Sequence, residues 1–199
     1  HEAALLGSAN NEQPEVSLFT PAEALHDLLK MKIVQVNAWA KLYRRDLFKT
    51  IRYPYGRINE DNLTTYKTIW EAEASIVCLN RYLYFYRVNL EGIMNGNFSA
   101  KRYEVLSFAD EITQYLGHSA ETFKNEITYA EMRLAFRLYN ECLQKGKAKA
   151  FKQQQDTIYH RLTSLKSKSI PMENKYLFML YLLKINRTLY EFVIKKLRK

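Results

Sequence analysis

The second half of the chain repeats its apolar positions every three to four residues, which is the spacing of an amphipathic helix. Glycine and proline interrupt this pattern at points typical of helix ends. The stripes predict four helices, bounded in turn by Tyr103 and Gly117, by Ser119 as N-cap and Gly146, by Phe151 and Leu165, and by Pro171 and Leu197.

The first half has a mixed pattern. Residues 1–20 are polar and weakly patterned, which predicts a loop. Thr20-Pro21-Ala22-Glu23 then combines an N-cap threonine, a proline at the first helical position and a glutamate at the third, so it predicts a helix start. Further on, we expect extended chain over 33–43, a short helical turn at 46–48, a turn at 53–56, a helix over 61–74, and β-rich runs at 75–80 and 82–87.

These elements predict a mostly α fold with a small β component. We expect two parts: an α/β segment over residues 1–96 and a four-helix region over 97–199. The two cysteines, Cys78 and Cys142, lie on apolar segments without metal-ligand spacing, so we expect unreactive buried thiols in a reducing compartment. The chain begins at His1 without a methionine, and we expect it to be a piece of a longer protein.

The net charge of +9 is concentrated in the last third of the chain, since residues 141–199 carry 14 basic and 4 acidic residues. The amphipathic segment 171–199 could lie on an anionic membrane surface, pair with another helix or a second copy of the chain, or simply be solvated. A non-catalytic interaction module or a nucleic-acid-binding module remains an alternative, although no helix-turn-helix, zinc or RNA-binding signature supports it. Neither a phosphate-binding glycine loop nor a nucleophilic-serine motif occurs.

One segment carries candidate chemistry. A Pro54/Gly56 turn leads to the adjacent carboxylates Glu60 and Asp61 at the start of a predicted helix. Carboxylates at this position commonly cap the helix and interact favourably with its dipole. Alternatively, one of them points into a cleft, because neighbouring residues on a helix do not face the same way.

Three motifs in order resemble family-2 glycosyltransferases of the GT-A fold. The chain has WAKLYRRDLF from Trp39, YPYGRINED ending at Asp61, and YLYFYR ending at Arg87, followed by GIM from Gly92. The family pattern is roughly W-N-K-L-Y-R-R-x-L-F, F-P-x-G-x-x-x-E-D and L-Y-x-Y-R, with S-I-M shortly after. Ala40 replaces the usual Asn, and Gly92 replaces the usual Ser.

The resemblance implies an inverting transfer of a sugar from a nucleotide-sugar donor to a hydroxyl acceptor. Asp61 would be the general base and Glu60 would orient the acceptor or a nearby cation. Arg87, and less specifically Lys41, would contact the diphosphate, although Lys41 suits a surface salt bridge equally well. Trp39, Tyr84 and Tyr86 would stack on sugar rings, although Tyr82, Tyr84 and Tyr86 could instead pack into a core from one strand face.

The family also has a nucleotide-binding half with a D-x-D motif that holds Mg²⁺ or Mn²⁺. This chain contains no D-x-D motif, so the resemblance implies the acceptor-side half of a GT-A domain. We expect no metal or nucleotide sugar to bind the chain alone, and the metal to be bound in the full-length enzyme. The resemblance further implies surface polysaccharide synthesis and a cytoplasmic location, peripheral at the inner face of the plasma membrane.

Overall fold

The structure is a computed structural model that describes residues 16–87, 98–165, 170 and 172–197. It confirms a mostly helical chain with a small β component, a two-stranded antiparallel sheet. The strands are β1 (Val16–Phe19) and β2 (Ile76–Leu79), and the α-helices are α1 (Pro21–Lys30), α2 (Thr65–Trp70), α3 (Phe108–Leu116), α4 (Lys124–Gln144), α5 (Lys152–Ser164), α6 (Asn174–Ile185) and α7 (Arg187–Lys196). Shorter 3-10 helices cover Arg45–Lys49, Ala100–Ser107 and Gly117–Phe123.

Helix α1 begins where the sequence predicts. The hydroxyl of Thr20 accepts a hydrogen bond from the backbone N–H of Glu23 at 3.3 Å, and the Glu23 carboxylate accepts one from the backbone N–H of Thr20 at 2.9 Å. This reciprocal pair is a complete capping box. The helix ends at Met31, whose left-handed backbone lets its N–H reach the last carbonyl groups.

Four predictions for the first half are wrong. Residues 16–19 form strand β1 rather than a loop, because they pair with β2 about sixty residues away, with Val16 opposite Leu79. Residues 33–43 are not continuously extended, because the chain bends at 33–34 and 38–40 and Ala40 has a left-handed backbone. Residues 82–87 form no strand, and each of them is exposed. The helix predicted over 61–74 is reduced to α2, because turns that converge on the Glu60 carbonyl occupy the residues before it.

In the second half, Ser119 does not cap a helix. It lies within the 3-10 helix Gly117–Phe123, and α4 begins only after Phe123. The predicted fourth helix is two helices, because Asn186 adopts an extended backbone and its side chain caps α7 by accepting the Leu189 N–H at 2.9 Å. Pro171 lies outside the described residues, and α6 begins three residues after it.

A single hydrophobic core runs through the described chain. Helix α4 lies at its centre and packs against α1, α3, α5 and α7. Helix α2 joins the core through Tyr66 and Ile69, and Leu63 joins it from the turn just before α2. The core therefore includes residues of both predicted parts. The predicted boundary at residue 96 falls outside the described residues, and the division into two domains stays a prediction.

Two further features bear on the sequence analysis. Both cysteines are free thiols, and burial raises the pKa of each, with Cys142 buried and Cys78 half-buried. Among the helices that the structure describes, none has the length and hydropathy needed to cross a bilayer.

Candidate functional site

The loop that carries the two carboxylates is shaped by left-handed backbone positions. Gly56, in the predicted turn, has φ of 74°, and Asn59 has φ of 58°. Glycine and asparagine are the residues that adopt this conformation most easily. The Asp61 carbonyl then accepts hydrogen bonds from the N–H groups of Thr64 and Thr65, at 3.2 and 2.9 Å, so the loop leads directly into α2.

Arg57 fixes this loop to the helical region. Its guanidinium donates to the Glu111 carboxylate and the Ser107 hydroxyl, both at 2.8 Å, and to the Glu104 carbonyl at 3.0 Å. The Arg57 side chain is half-buried, where charged hydrogen bonds are worth more than on an open surface. The position of the carboxylates thus depends on residues about fifty positions further along the chain.

Asp61 does not cap helix α2. The N-cap of α2 is Thr64, and it makes no side-chain capping bond. One carboxylate oxygen of Asp61, Oδ1, accepts from the backbone N–H and the side-chain amide of Asn62, at 2.8 and 3.0 Å. Within the described part of the chain, neither Asp61 Oδ2 nor the half-buried Glu60 carboxylate has a hydrogen-bond or ion-pair partner.

Two basic side chains interact electrostatically with Asp61. Lys41 is half-buried, and burial lowers the pKa of its ammonium group, an effect that the Asp61 charge opposes. The Lys41 ammonium donates to the Asn37 carbonyl rather than forming an ion pair with Asp61 in the described structure. Arg137 donates to the side-chain oxygen of Asn59 at 3.0 Å and also interacts with Asp61 through its charge.

Sequence analysis missed Arg137. It lies on α4, and its partner Asn59 is 78 residues earlier in the chain. The one local sign of Arg137 in the sequence is that it interrupts the apolar run Leu134 to Tyr139. In the structure the other residues of this run are buried, and Arg137 is exposed. A basic residue that interrupts an apolar run suggests a polar partner, but the sequence does not identify that partner.

The predicted sugar-stacking residues lie together on the surface. The Trp39 ring stacks on Tyr84 and on Tyr86, each with a centroid separation of 5.0 Å. The three side chains, which we call the aromatic platform, are 42%, 52% and 58% exposed. Tyr82 is fully exposed, so the alternative in which these tyrosines pack into a core is wrong.

Arg87 is not brought to the carboxylates. Its side chain is exposed, and no hydrogen bond or ion pair joins it to Glu60 or Asp61 in the described part of the chain. The motif residues that follow it, Gly92 to Met94, lie outside the described residues.

The described residues do not fit a divalent metal. No group of three or more His, Cys, Asp or Glu side chains converges in the part of the chain that the structure describes. Glu60 and Asp61 alone are too few ligands for a protein-bound Mg²⁺ or Mn²⁺ site.

An open cavity of about 460 Å³ lies elsewhere, between α3 and α4. Its lining includes the acidic side chains of Asp110, Glu121 and Glu131, and none of the candidate residues. The candidate site is therefore an exposed surface around Asp61 rather than this cavity.

Comparison with known proteins gives one relevant similarity. The chain is 33% identical over 87 residues to a protein named glycosyltransferase GlyA from Streptococcus pneumoniae serotype 4, and the matched part covers 42% of this chain and 12% of that protein. The chain thus spans only a small part of the length of its curated relative. No family model matches the chain, and no solved structure matches it significantly. The chain is related over part of its length to a glycosyltransferase.

Proposed function

We propose that the chain is the acceptor-binding part of an inverting family-2 glycosyltransferase of the GT-A type, within a longer protein that binds the nucleotide sugar elsewhere. One observation carries the proposal. The positive charges of Lys41 and Arg137 both interact electrostatically with Asp61, and Lys41 lies two residues after Trp39 of the exposed aromatic platform. The ordered motifs and the similarity to a glycosyltransferase support the same conclusion.

The proposed reaction uses Asp61 as a general base. An acceptor hydroxyl oxygen attacks the anomeric carbon of the donor sugar, and its proton passes to the Asp61 carboxylate. The bond between the anomeric carbon and the phosphate oxygen breaks, and the nucleoside diphosphate leaves with the electron pair. Because Asn62 holds Oδ1, the Oδ2 atom is the one that we assign to the acceptor proton.

The remaining residues hold the acceptor. Aromatic rings bind sugars through their apolar faces, so the acceptor sugar would stack on the exposed rings of the aromatic platform. The Glu60 carboxylate would accept a hydrogen bond from a second hydroxyl of the acceptor sugar. Lys41 and Arg137 would place positive charge beside the negative charge that develops on the diphosphate. We keep Arg87 as a proposed diphosphate ligand, and we propose that Mg²⁺ or Mn²⁺ binds in the donor-binding part of the longer protein. Surface polysaccharide synthesis at the cytoplasmic face of the membrane is the proposed setting.

Acceptor binding can be tested on the chain itself. We expect at least one member of a panel of bacterial surface oligosaccharides to bind the chain in isothermal titration, and Trp39→Ala to abolish the binding. Trp70→Phe, which removes the other tryptophan, should leave it intact. If no oligosaccharide binds, or if binding survives Trp39→Ala, the assignment of the acceptor site is wrong.

Donor binding gives the complementary test. Isothermal titration of the chain with nucleotide sugars in the presence of Mg²⁺ or Mn²⁺ should show no binding. Tight, metal-dependent binding would place the donor site within this chain and contradict the proposed division of labour.

A further inference from the structure

Helix α6 is apolar on every side over residues 176–183, but the core covers only one side of it. Leu180 and Leu183 are buried, whereas Phe178 is 67% exposed and Ile185 is 81% exposed. A helix that is apolar all round is normally buried on all sides. The outward side of α6 therefore lacks an apolar partner in the described structure.

Helix α7 has the same arrangement. Tyr190 and Ile194 pack into the core, while Leu189 is 48% exposed and Phe192 is 57% exposed. Helices α6 and α7 pack against each other, and we call their exposed large apolar side chains the apolar face, which comprises Phe178, Tyr181, Ile185, Leu189 and Phe192. A solvated helix surface carries polar residues, so simple solvation does not account for these five large side chains.

The charges around the apolar face are positive. Lys195 and Lys196 are exposed, and the Lys196 ammonium lies 5.7 Å from the centroid of the Phe192 ring. Lys184 is also exposed, and its ammonium donates to the Leu165 carbonyl at 2.8 Å. The only acidic residue of the two helices, Glu191, is half-buried and already pairs with Arg187 at 2.8 Å. The surface thus combines large apolar side chains with lysines whose charge Glu191 does not balance.

We propose that the apolar face of α6 and α7 binds the surface of an anionic lipid bilayer. The apolar side chains would enter the boundary between headgroups and acyl chains, and the lysines would extend to the anionic headgroups. This proposal goes beyond the proposed function and does not depend on it. A second copy of the chain is a less suitable occupant, because two such faces would bring lysines together, and the described α6 and α7 offer no unpaired carboxylate to neutralise them.

Vesicle flotation of the whole chain tests the proposal. We expect the chain to float with phosphatidylcholine vesicles that contain phosphatidylglycerol, and not with phosphatidylcholine vesicles alone. The combined variant Phe178→Ser, Ile185→Ser and Phe192→Ser should reduce partitioning more than tenfold. Leu42→Ser, at a fully exposed leucine outside the face, is the matched control and should leave partitioning unchanged.

The charges are tested separately. Lys195→Gln together with Lys196→Gln should reduce partitioning by about fivefold for each lysine, and high salt should reduce it further in the unmodified chain. Thermal unfolding, followed by circular dichroism, shows whether each variant is folded. If the combined variant is not folded, Ile185→Ser alone replaces it.

Three results would overturn the proposal. They are equal flotation with neutral and anionic vesicles, unchanged flotation of a folded variant of the apolar face, or a dimer in light scattering that depends on the face in a chain that binds no vesicles.

Discussion

At the scale of single residues, Ala40 shows what the structure adds to the motif comparison. The glycosyltransferase motif that this segment resembles has Asn at this position, and the sequence indicates only the loss of a polar contact. In the structure, Ala40 has φ of 56°, in the left-handed region. Asn adopts this region far more readily than Ala, so the backbone gives a conformational reason for an Asn at this position.

We predict that Ala40→Asn stabilises the chain. Relief of the left-handed strain should raise the free energy of unfolding by about 0.5–1 kcal/mol, measured by urea denaturation. Ala38→Asn is the matched control, because Ala38 is also exposed but does not have a positive φ. A gain at position 38 equal to that at position 40 would show that the effect does not come from φ.

The candidate site could be predicted only where its residues are close in sequence. Short motifs contain the adjacent carboxylates and the candidate sugar-stacking residues, so the sequence alone suggests them as candidates. Arg57 and Arg137 were missed as site residues because their partners lie 47 to 78 residues away. Such pairs depend on the packing of α3 and α4 against the loop, which no local pattern encodes.

At the scale of elements, local chemistry predicts some boundaries and fails at others. The start of α1 was predicted in full because its capping box lies within four residues. Strand β1 was missed because its hydrogen-bond partners are supplied by β2. Ser119 is a good N-cap residue by type, but tertiary packing continues the 3-10 helix past it to Phe123.

Thr20→Ala should therefore destabilise the chain, whereas Ser119→Ala should not. We expect a loss of about 1 kcal/mol for Thr20→Ala in chemical denaturation at neutral pH, because the hydroxyl bond to the Glu23 N–H is lost. Ser119→Ala is the matched control and should change stability by less than about 0.5 kcal/mol. The reverse order of the two effects would contradict the observed helix starts.

The contribution of Glu23 adds a pH dependence. Hydrogen bonds from the backbone and the hydroxyl of Thr20 hold the pKa of the Glu23 carboxyl below its ordinary value. Because the pKa of Glu23 is lower in the folded state, the ionised carboxylate stabilises the chain at any pH above the pKa of the unfolded state. This stabilisation is lost as the pH falls through the folded-state pKa. The difference in the free energy of unfolding between Thr20→Ala and the unmodified chain should therefore be smaller at about pH 3 than at pH 7. A difference that grows on acidification would contradict this account.

At the scale of the whole molecule, both predicted parts contribute to one core. Trp70 of α2 packs edge-on against Phe123, at a centroid separation of 5.8 Å, and α1 lies on α4. The composition and charge of the two parts differ, which is why the sequence predicts a division. Charge distribution reports on the surface, however, and does not determine whether two segments share an interior.

A shared core predicts one cooperative unfolding transition. In a Trp39→Phe variant, Trp70 fluorescence reports on the N-terminal part, while far-ultraviolet circular dichroism reports mainly on the helices that follow residue 97. We expect the two signals to give the same midpoint in urea. Two separated midpoints would instead support two independently folding domains.

The central claim is that Asp61 is the base of a sugar transfer, and the most direct measurement is the transfer rate of the longest natural protein that contains this chain. We expect Asp61→Asn to reduce kcat by about 10²–10⁴-fold without loss of folding. Asp46→Asn is the matched control, because Asp46 is an exposed carboxylate in the neighbouring motif that pairs with Arg44, and it should retain the full rate. A folded Asp61→Asn protein with an unchanged rate would contradict the claim.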